Sequence, residues 1–216
     1  MKSEIYKRIN TGLLLFLLLI LMFISKTIFL FISICVFTVS FIEFTKMSKL
    51  FFKKKYFKQF LANCAFVFYL FLFLLIFIFS LNDIHLKIIL FIVLLICISS
   101  DIGGILFGKF FKGPKLTKIS PNKTISGSIG SILFSIFISV ATIFIITDII
   151  SYMSIILGLI TSLGAQVGDL FFSFLKRKAK IKDTGNFFPG HGGVLDRLDG
   201  IFFGIPAGFL TIIILG

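Results

Sequence analysis

Carboxylate side chains at helical spacing are the groups in this chain best suited to chemistry. Five of the nine carboxylates fall in two polar segments that interrupt the apolar runs: Asp101, Asp169, Asp183, Asp196 and Asp199. Charged side chains next to lipid-solvated segments cost free energy, so they usually mark a functional site. The residues around Asp169 predict a helix on which Asp169, Ser173 and Lys176 follow at i, i+4 and i+7 and share one face.

Asp196 and Asp199 are three residues apart and also share a face if the last helix begins near Leu195. Two helices that present carboxylates at one membrane depth would offer the hard oxygen ligands that Mg²⁺ prefers. The alternative is that these aspartates only form helix-end salt bridges, whose partners would be Lys176, Arg177 and Arg197.

A glycine-rich loop precedes the last helix. The run Pro189-Gly190-His191-Gly192-Gly193 cannot form ordinary helix, because Gly and Pro are unfavourable in helix interiors. We expect a re-entrant or capping loop whose backbone amides could approach a phosphate just before a helix N-terminus. His191 could act as a general acid, a phosphate donor or a structural cap.

The elements that position these residues must be membrane helices. The chain has 216 residues, of which 58% are hydrophobic, and its mean hydropathy is +1.12. A soluble domain of this size could not bury so much apolar surface, so the sequence predicts an all-α integral membrane protein. We expect a bundle of about seven transmembrane helices with a cytoplasm-facing polar site. The apolar runs predict spans at 11–25, 27–45, 60–80, 85–100, 127–147, 152–175 and 198–215.

Basic residues predict the orientation of these spans and account for the net charge of +13. With the N-terminus inside, the cytoplasmic segments are 1–10, 46–59, 101–126 and 176–197, and they hold 20 of the 22 Lys and Arg residues. Because Lys and Arg concentrate on the cytoplasmic side of membrane proteins, topology explains the charge and nucleic acid is not an expected partner. The basic stretch 46–58 is most simply a topology signal that rests on anionic headgroups.

The order of residues from 173 to 199 resembles the CDP-diacylglycerol synthases, also called phosphatidate cytidylyltransferases. Their pattern contains Ser and Lys-Arg, then Lys-Asp, then His-Gly-Gly, and finally Asp-Arg followed by Asp. This chain satisfies every position of that pattern. The resemblance implies an enzyme that converts CTP and phosphatidate to CDP-diacylglycerol and pyrophosphate. It also implies a requirement for Mg²⁺, with or without a second, monovalent cation.

The resemblance also implies roles for individual residues. Asp169, Asp196, Asp199 and Lys176 would be catalytic, and the three aspartates would be the metal ligands. The substrate-binding residues would be Ser120, Lys123, Thr124, Ser173, Arg177, Lys182, His191, Gly192, Gly193 and Arg197. In contrast, Lys178 is predicted only to set topology.

An earlier segment, 99–127, resembles the same family more loosely, with Ser-Asp, Phe-Gly, Ser-Pro and Lys-Thr at corresponding places. It departs from the pattern at Lys109, where relatives have Arg. A second departure is Ile125-Ser126-Gly127, where relatives have Trp-Glu-Gly, and it removes a carboxylate. The short run Ile42-Glu43-Phe44 also looks like a family position. The chain is short for the family.

These observations divide the chain into N-terminal transmembrane helices, 1–98, and a catalytic transmembrane region, 99–216. The expected partners are CTP, phosphatidate and membrane lipids, and the resemblance implies a homodimer in the bacterial inner membrane with a cytoplasmic active site. One alternative is a CTP-dependent lipid kinase of the dolichol or phytol kinase type, which would release CDP. Another is a transporter, which would show an internal repeat that the sequence lacks.

Overall fold

The computed structural model consists mainly of long helices. It describes residues 12, 14, 17–117, 119–121, 123–185, 187 and 192–215. The long helices among them are α1 Lys26–Phe52, α2 Tyr56–Asn82, α3 Ile84–Phe111, α4 Ile125–Thr147, α5 Tyr152–Lys178 and α6 Leu195–Leu215. Residues 17–24 are also helical, and Ser25 then serves as the N-cap of α1, its hydroxyl accepting from the amide of Ile28 at 3.4 Å.

Each of these six helices is long and apolar enough to cross a membrane. They contain 21 to 28 residues, and their most apolar windows have mean hydropathies of 1.7 to 2.8. The protein is therefore an all-α integral membrane protein, as the composition predicts. The predicted span 11–25 lies partly outside the described residues. The other six predicted spans are present, and α1 and α3 run well beyond their predicted ends, to Phe52 and Phe111.

The glycine-rich stretch after residue 100 is helix, so α3 ends at Phe111, eleven residues beyond the end of the predicted span 85–100. The reason is close packing of α3 against α4 in this stretch. A Cβ atom on Gly103 would lie 2.6 Å from the carbonyl oxygen of Gly130, and one on Gly104 would lie 2.6 Å from Ser131 Oγ. Small residues allow helices in membranes to approach this closely. That packing outweighs the low helix propensity of glycine.

The chain forms two compact units, which are described separately. The first contains residues 1–82 and 175–198, and thus α1, α2, the end of α5 and the first turn of α6. Aromatic side chains join α1 to α2. The rings of Phe44 and Phe66 stack with centroids 4.0 Å apart, and those of Phe37 and Phe73 meet edge to face at 5.7 Å. These pairs bury large apolar areas and fix the alignment of the hairpin.

The second unit contains residues 83–174 and 199–216, and thus α3, α4, most of α5 and the rest of α6. Buried serines connect its helices. Ser131 Oγ donates to the carbonyl of Ser100 at 2.7 Å, and the hydroxyls of Ser100 and Ser162 lie 2.9 Å apart. Such interhelical hydrogen bonds stabilise helix packing where the apolar surroundings provide no competing water. They hold α3, α4 and α5 in a defined register.

Candidate active site

The end of α5 carries the beginning of the motif at residues 173–199. The helix stops because the chain turns back on it. The amide of Ala179 donates to the carbonyl of Leu175 at 2.9 Å, the amide of Ile181 donates to that of Lys176 at 3.0 Å, and Lys180 adopts a left-handed φ of 61°. A left-handed residue just past a helix is a common C-terminal cap. The turn keeps Lys176 on the last ordered turn of the helix.

A buried ion pair then joins this helix end to the start of α6. Lys176 Nζ lies 2.8 Å from Asp196 Oδ1, and the two side chains are 10% and 6% exposed. The other oxygen of Asp196, Oδ2, accepts hydrogen bonds from the backbone amides of Thr184 at 2.8 Å and Gly193 at 3.0 Å. The carboxylate therefore joins Thr184 to Gly193, on the two sides of the loop, and also neutralises the lysine. α6 begins at Leu195, which confirms the start that the spacing of Asp196 and Asp199 requires.

A second carboxylate, that of Glu43 in α1, also accepts hydrogen bonds from residues on both sides of this loop. Its side chain is 5% exposed. Glu43 Oε2 accepts from the Thr184 hydroxyl at 2.9 Å and from the amide of Leu195 at 2.8 Å, while Oε1 accepts from the amide of Val194 at 3.1 Å. The sequence interpretation noted Glu43 only as part of a short family-like run and assigned it no role. The signal was a lone carboxylate inside an apolar run.

Glycine is required at positions 192 and 193, just before α6, for two different structural reasons. Gly192 has a φ of +81°, which favours glycine over other residues. Gly193 gives room to neighbouring oxygens: an added Cβ would approach the Glu43 carboxylate, and it would lie 2.5 Å from Thr184 Oγ1. Of the amides that the sequence predicts for phosphate binding, that of Gly193 donates to Asp196 Oδ2, and the predicted phosphate contact stays a prediction. Pro189, Gly190 and His191 lie outside the described residues.

The second unit contains another lysine–aspartate pair. Lys123 Nζ pairs with Asp169 Oδ2, and Ser173 Oγ donates to Asp169 Oδ1 at 3.3 Å. This confirms that Asp169 and Ser173 share a face of α5. The lysine and aspartate side chains are 26% and 27% exposed, so this pair is more accessible than Lys176–Asp196.

Two neighbours of Lys123 have structural contacts. Thr124 is the N-cap of α4, and its hydroxyl accepts from the amide of Gly127 at 3.1 Å. The Ser120 carbonyl accepts from the amide of Lys123 at 3.1 Å and closes a turn. The predicted nucleotide contacts of both residues stay predictions. What the structure adds is that Ser120 and Thr124 fix the backbone on either side of Lys123.

The remaining predicted site residues lie near these two pairs in sequence. Asp199 Oδ1 accepts from the amide of Gly200 at 2.9 Å. Three basic residues, predicted to contact phosphates, have exposed side chains: Arg177, Lys182 and Arg197. Among the described residues, no three His, Cys, Asp or Glu side chains form a group that could hold a metal ion. The joint metal role of Asp169, Asp196 and Asp199 stays a prediction.

Comparison with known proteins identifies the family. The model of the cytidylyltransferase family matches residues 2–215, nearly the whole chain. The chain belongs to the cytidylyltransferase family.

Several relatives in this family carry the name phosphatidate cytidylyltransferase. One from Rickettsia felis is 44% identical over 133 residues, covering 57% of this chain and 59% of the relative. One from Helicobacter pylori is 41% identical over 116 residues, covering 52% and 42%. One from Staphylococcus aureus is 44% identical over 110 residues, covering 50% and 42%. The matched region therefore spans roughly half the length of these relatives.

Proposed function

We propose that this chain is a phosphatidate cytidylyltransferase, which joins the cytidylyl group of CTP to phosphatidate and releases pyrophosphate. The match of the cytidylyltransferase family to residues 2–215 carries the proposal. The names of the Rickettsia felis and Helicobacter pylori relatives support phosphatidate as the acceptor. The polar groups at both lysine–aspartate pairs are compatible with that chemistry.

In this reaction a phosphate oxygen of phosphatidate attacks the α-phosphorus of CTP. One P–O bond forms while the bond from the α-phosphorus to the bridging oxygen breaks, and pyrophosphate leaves. The substrate phosphate is itself the nucleophile, so the protein contributes position and charge rather than a covalent nucleophile. In the first unit Lys176, Arg177 and Lys182 supply cationic groups, and in the second unit Lys123 supplies another.

Magnesium dependence is part of the proposal, with Asp169, Asp196 and Asp199 as the residues that would hold the ion. Magnesium would neutralise charge on the phosphates when bound. Asp169 suits a hard cation, because its partly exposed carboxylate is bound by one lysine and one hydroxyl. Asp196 is less available as arranged here, because its oxygens already accept from Lys176 and two amides. Asp169 is therefore the residue of this set that we expect to dominate metal affinity.

The cellular setting follows from the sequence and is likewise proposed. The distribution of Lys and Arg favours a cytoplasmic site, and the bacterial relatives support a bacterial inner membrane. CTP would then enter from the cytoplasm, and phosphatidate would enter from the lipid. A homodimer and a second, monovalent cation belong to the same proposal.

The test is a paired labelling experiment with purified protein, phosphatidate and Mg²⁺. CTP labelled at the α-phosphate should transfer its label to the lipid, whereas CTP labelled at the γ-phosphate should release it as pyrophosphate. Chelation of divalent ions by EDTA should stop both. In a parallel sample with phytol or a polyprenol in place of phosphatidate, label from the γ-phosphate in the lipid, with release of CDP, would instead identify a lipid kinase.

A further inference from the structure

Glu43 is joined to a polar loop that follows it by more than 140 residues. The separations in sequence are 141 residues to Thr184, 151 to Val194 and 152 to Leu195. All four residues belong to the first compact unit. Long-range contacts of this kind determine where the loop lies, because short-range turns alone cannot align it with α1.

The three donors that reach Glu43 have particular need of an acceptor. Val194 and Leu195 open α6, and amides in the first turn of a helix have no partner within that helix. A carboxylate also interacts favourably with the positive end of the helix dipole. The Thr184 hydroxyl is buried with the same carboxylate, since Thr184 is 8% exposed. Glu43 thus satisfies three groups that its loss would leave buried without an acceptor.

The contacts of Glu43 alternate with those of Asp196. The backbone amide of Thr184 donates to Asp196, whereas its hydroxyl donates to Glu43. Just before α6, the amide of Gly193 donates to Asp196 and that of Val194 donates to Glu43. Any shift of Thr184 that follows the loss of Glu43 therefore also changes the hydrogen bonds that orient the Asp196 carboxylate.

We infer that Glu43 is a positioning residue, which acts through Thr184 and the start of α6 to hold Asp196 against Lys176. The catalytic consequence rests on the proposed function, whereas the structural consequence does not. The inference also explains Gly185, where an added Cβ would lie 2.5 Å from Glu43 Oε1. The glycines on both sides of the loop leave space for the carboxylate.

The experiment compares Glu43→Gln, Glu43→Ala and wild-type protein. Glutamine has nearly the same volume, but it presents an NH₂ group to donors and so cannot accept from all three. We expect Glu43→Gln to lower kcat at least tenfold, within about threefold of Glu43→Ala, with little change in KM for CTP. Asp148→Asn is the matched control, because it replaces an exposed carboxylate at the end of α4 by an amide. It should retain wild-type kcat.

A second measurement is independent of activity. Hydrogen exchange followed by mass spectrometry should show faster exchange of peptides covering 183–195 in Glu43→Gln, with unchanged exchange in α4. Wild-type exchange in that segment would overturn the inference, whether or not the protein transfers cytidylyl groups. Faster exchange with full kcat would overturn the catalytic part. An inactive wild-type protein would defeat the proposed function alone, since the exchange result would still decide the role of Glu43.

Discussion

Replacement of Lys176 by methionine tests the buried ion pair directly. Methionine keeps the apolar stem and removes the charge, so Asp196 would keep its two backbone amide donors but lose its cation. Breaking a buried pair by removing one partner costs about 3–5 kcal/mol. Because the retained hydrogen bonds offset part of this loss, we expect the free energy of unfolding to fall by about 3 kcal/mol.

Two matched variants set the scale. Lys178 lies on the same helix end, and its exposed ammonium is 5.4 Å from the Phe51 ring centroid. Lys178→Met should therefore lower the free energy of unfolding by only about 0.5–1 kcal/mol. Lys123→Met breaks a pair whose side chains are about one quarter exposed, and solvent screening should limit its cost to about 1 kcal/mol. Unfolding in mixed micelles with increasing SDS measures all three. Equal losses for Lys176→Met and Lys178→Met would refute the structural importance of the buried pair.

Three further predictions concern metal binding, the loop and the helix packing. Asp169→Asn should abolish Mg²⁺-dependent turnover while the protein still inserts, and it should weaken Mn²⁺ binding at least tenfold. Electron paramagnetic resonance measures the Mn²⁺ affinity, and an unchanged affinity would contradict the metal role of Asp169. Gly193→Ala should lower kcat in wild-type protein but have a smaller further effect in Glu43→Ala, where the clashing carboxylate is absent; additive losses in this double-mutant cycle would show no coupling. Gly103→Val should prevent α3 from packing on Gly130 and lower the apparent Tm in detergent, whereas Ile102→Val, on the exposed face, should leave it unchanged.

The fold class and most of the membrane spans could be predicted from the sequence, because hydropathy directly reflects transfer into lipid. Helix ends were harder to predict. α3 continues past Asp101 because glycine contacts with α4 favour the helix, and those contacts depend on which helices are neighbours. A hydropathy profile contains no information about neighbours.

The sequence predicted which site residues share a helix face, but not which residues pair through tertiary contacts. The faces shared by Asp169 with Ser173 and by Asp196 with Asp199 follow from helical spacing alone. Lys123 precedes α4 and pairs with Asp169 of α5, whereas Lys176 of α5 pairs with Asp196 of α6. Each pair forms only through tertiary packing. Glu43 lies far from the motif in sequence, so the local pattern gave no reason to connect it with Thr184.

The most direct measurement of the central claim uses CTP labelled at the α-phosphate with wild-type, Asp169→Asn and Asp196→Asn proteins reconstituted in phosphatidate vesicles. Radiolabelled CDP-diacylglycerol should form with wild-type protein only, while both variants insert in normal amounts. Lipid labelling by either variant at the wild-type rate, or its absence from the wild-type sample, would contradict the account.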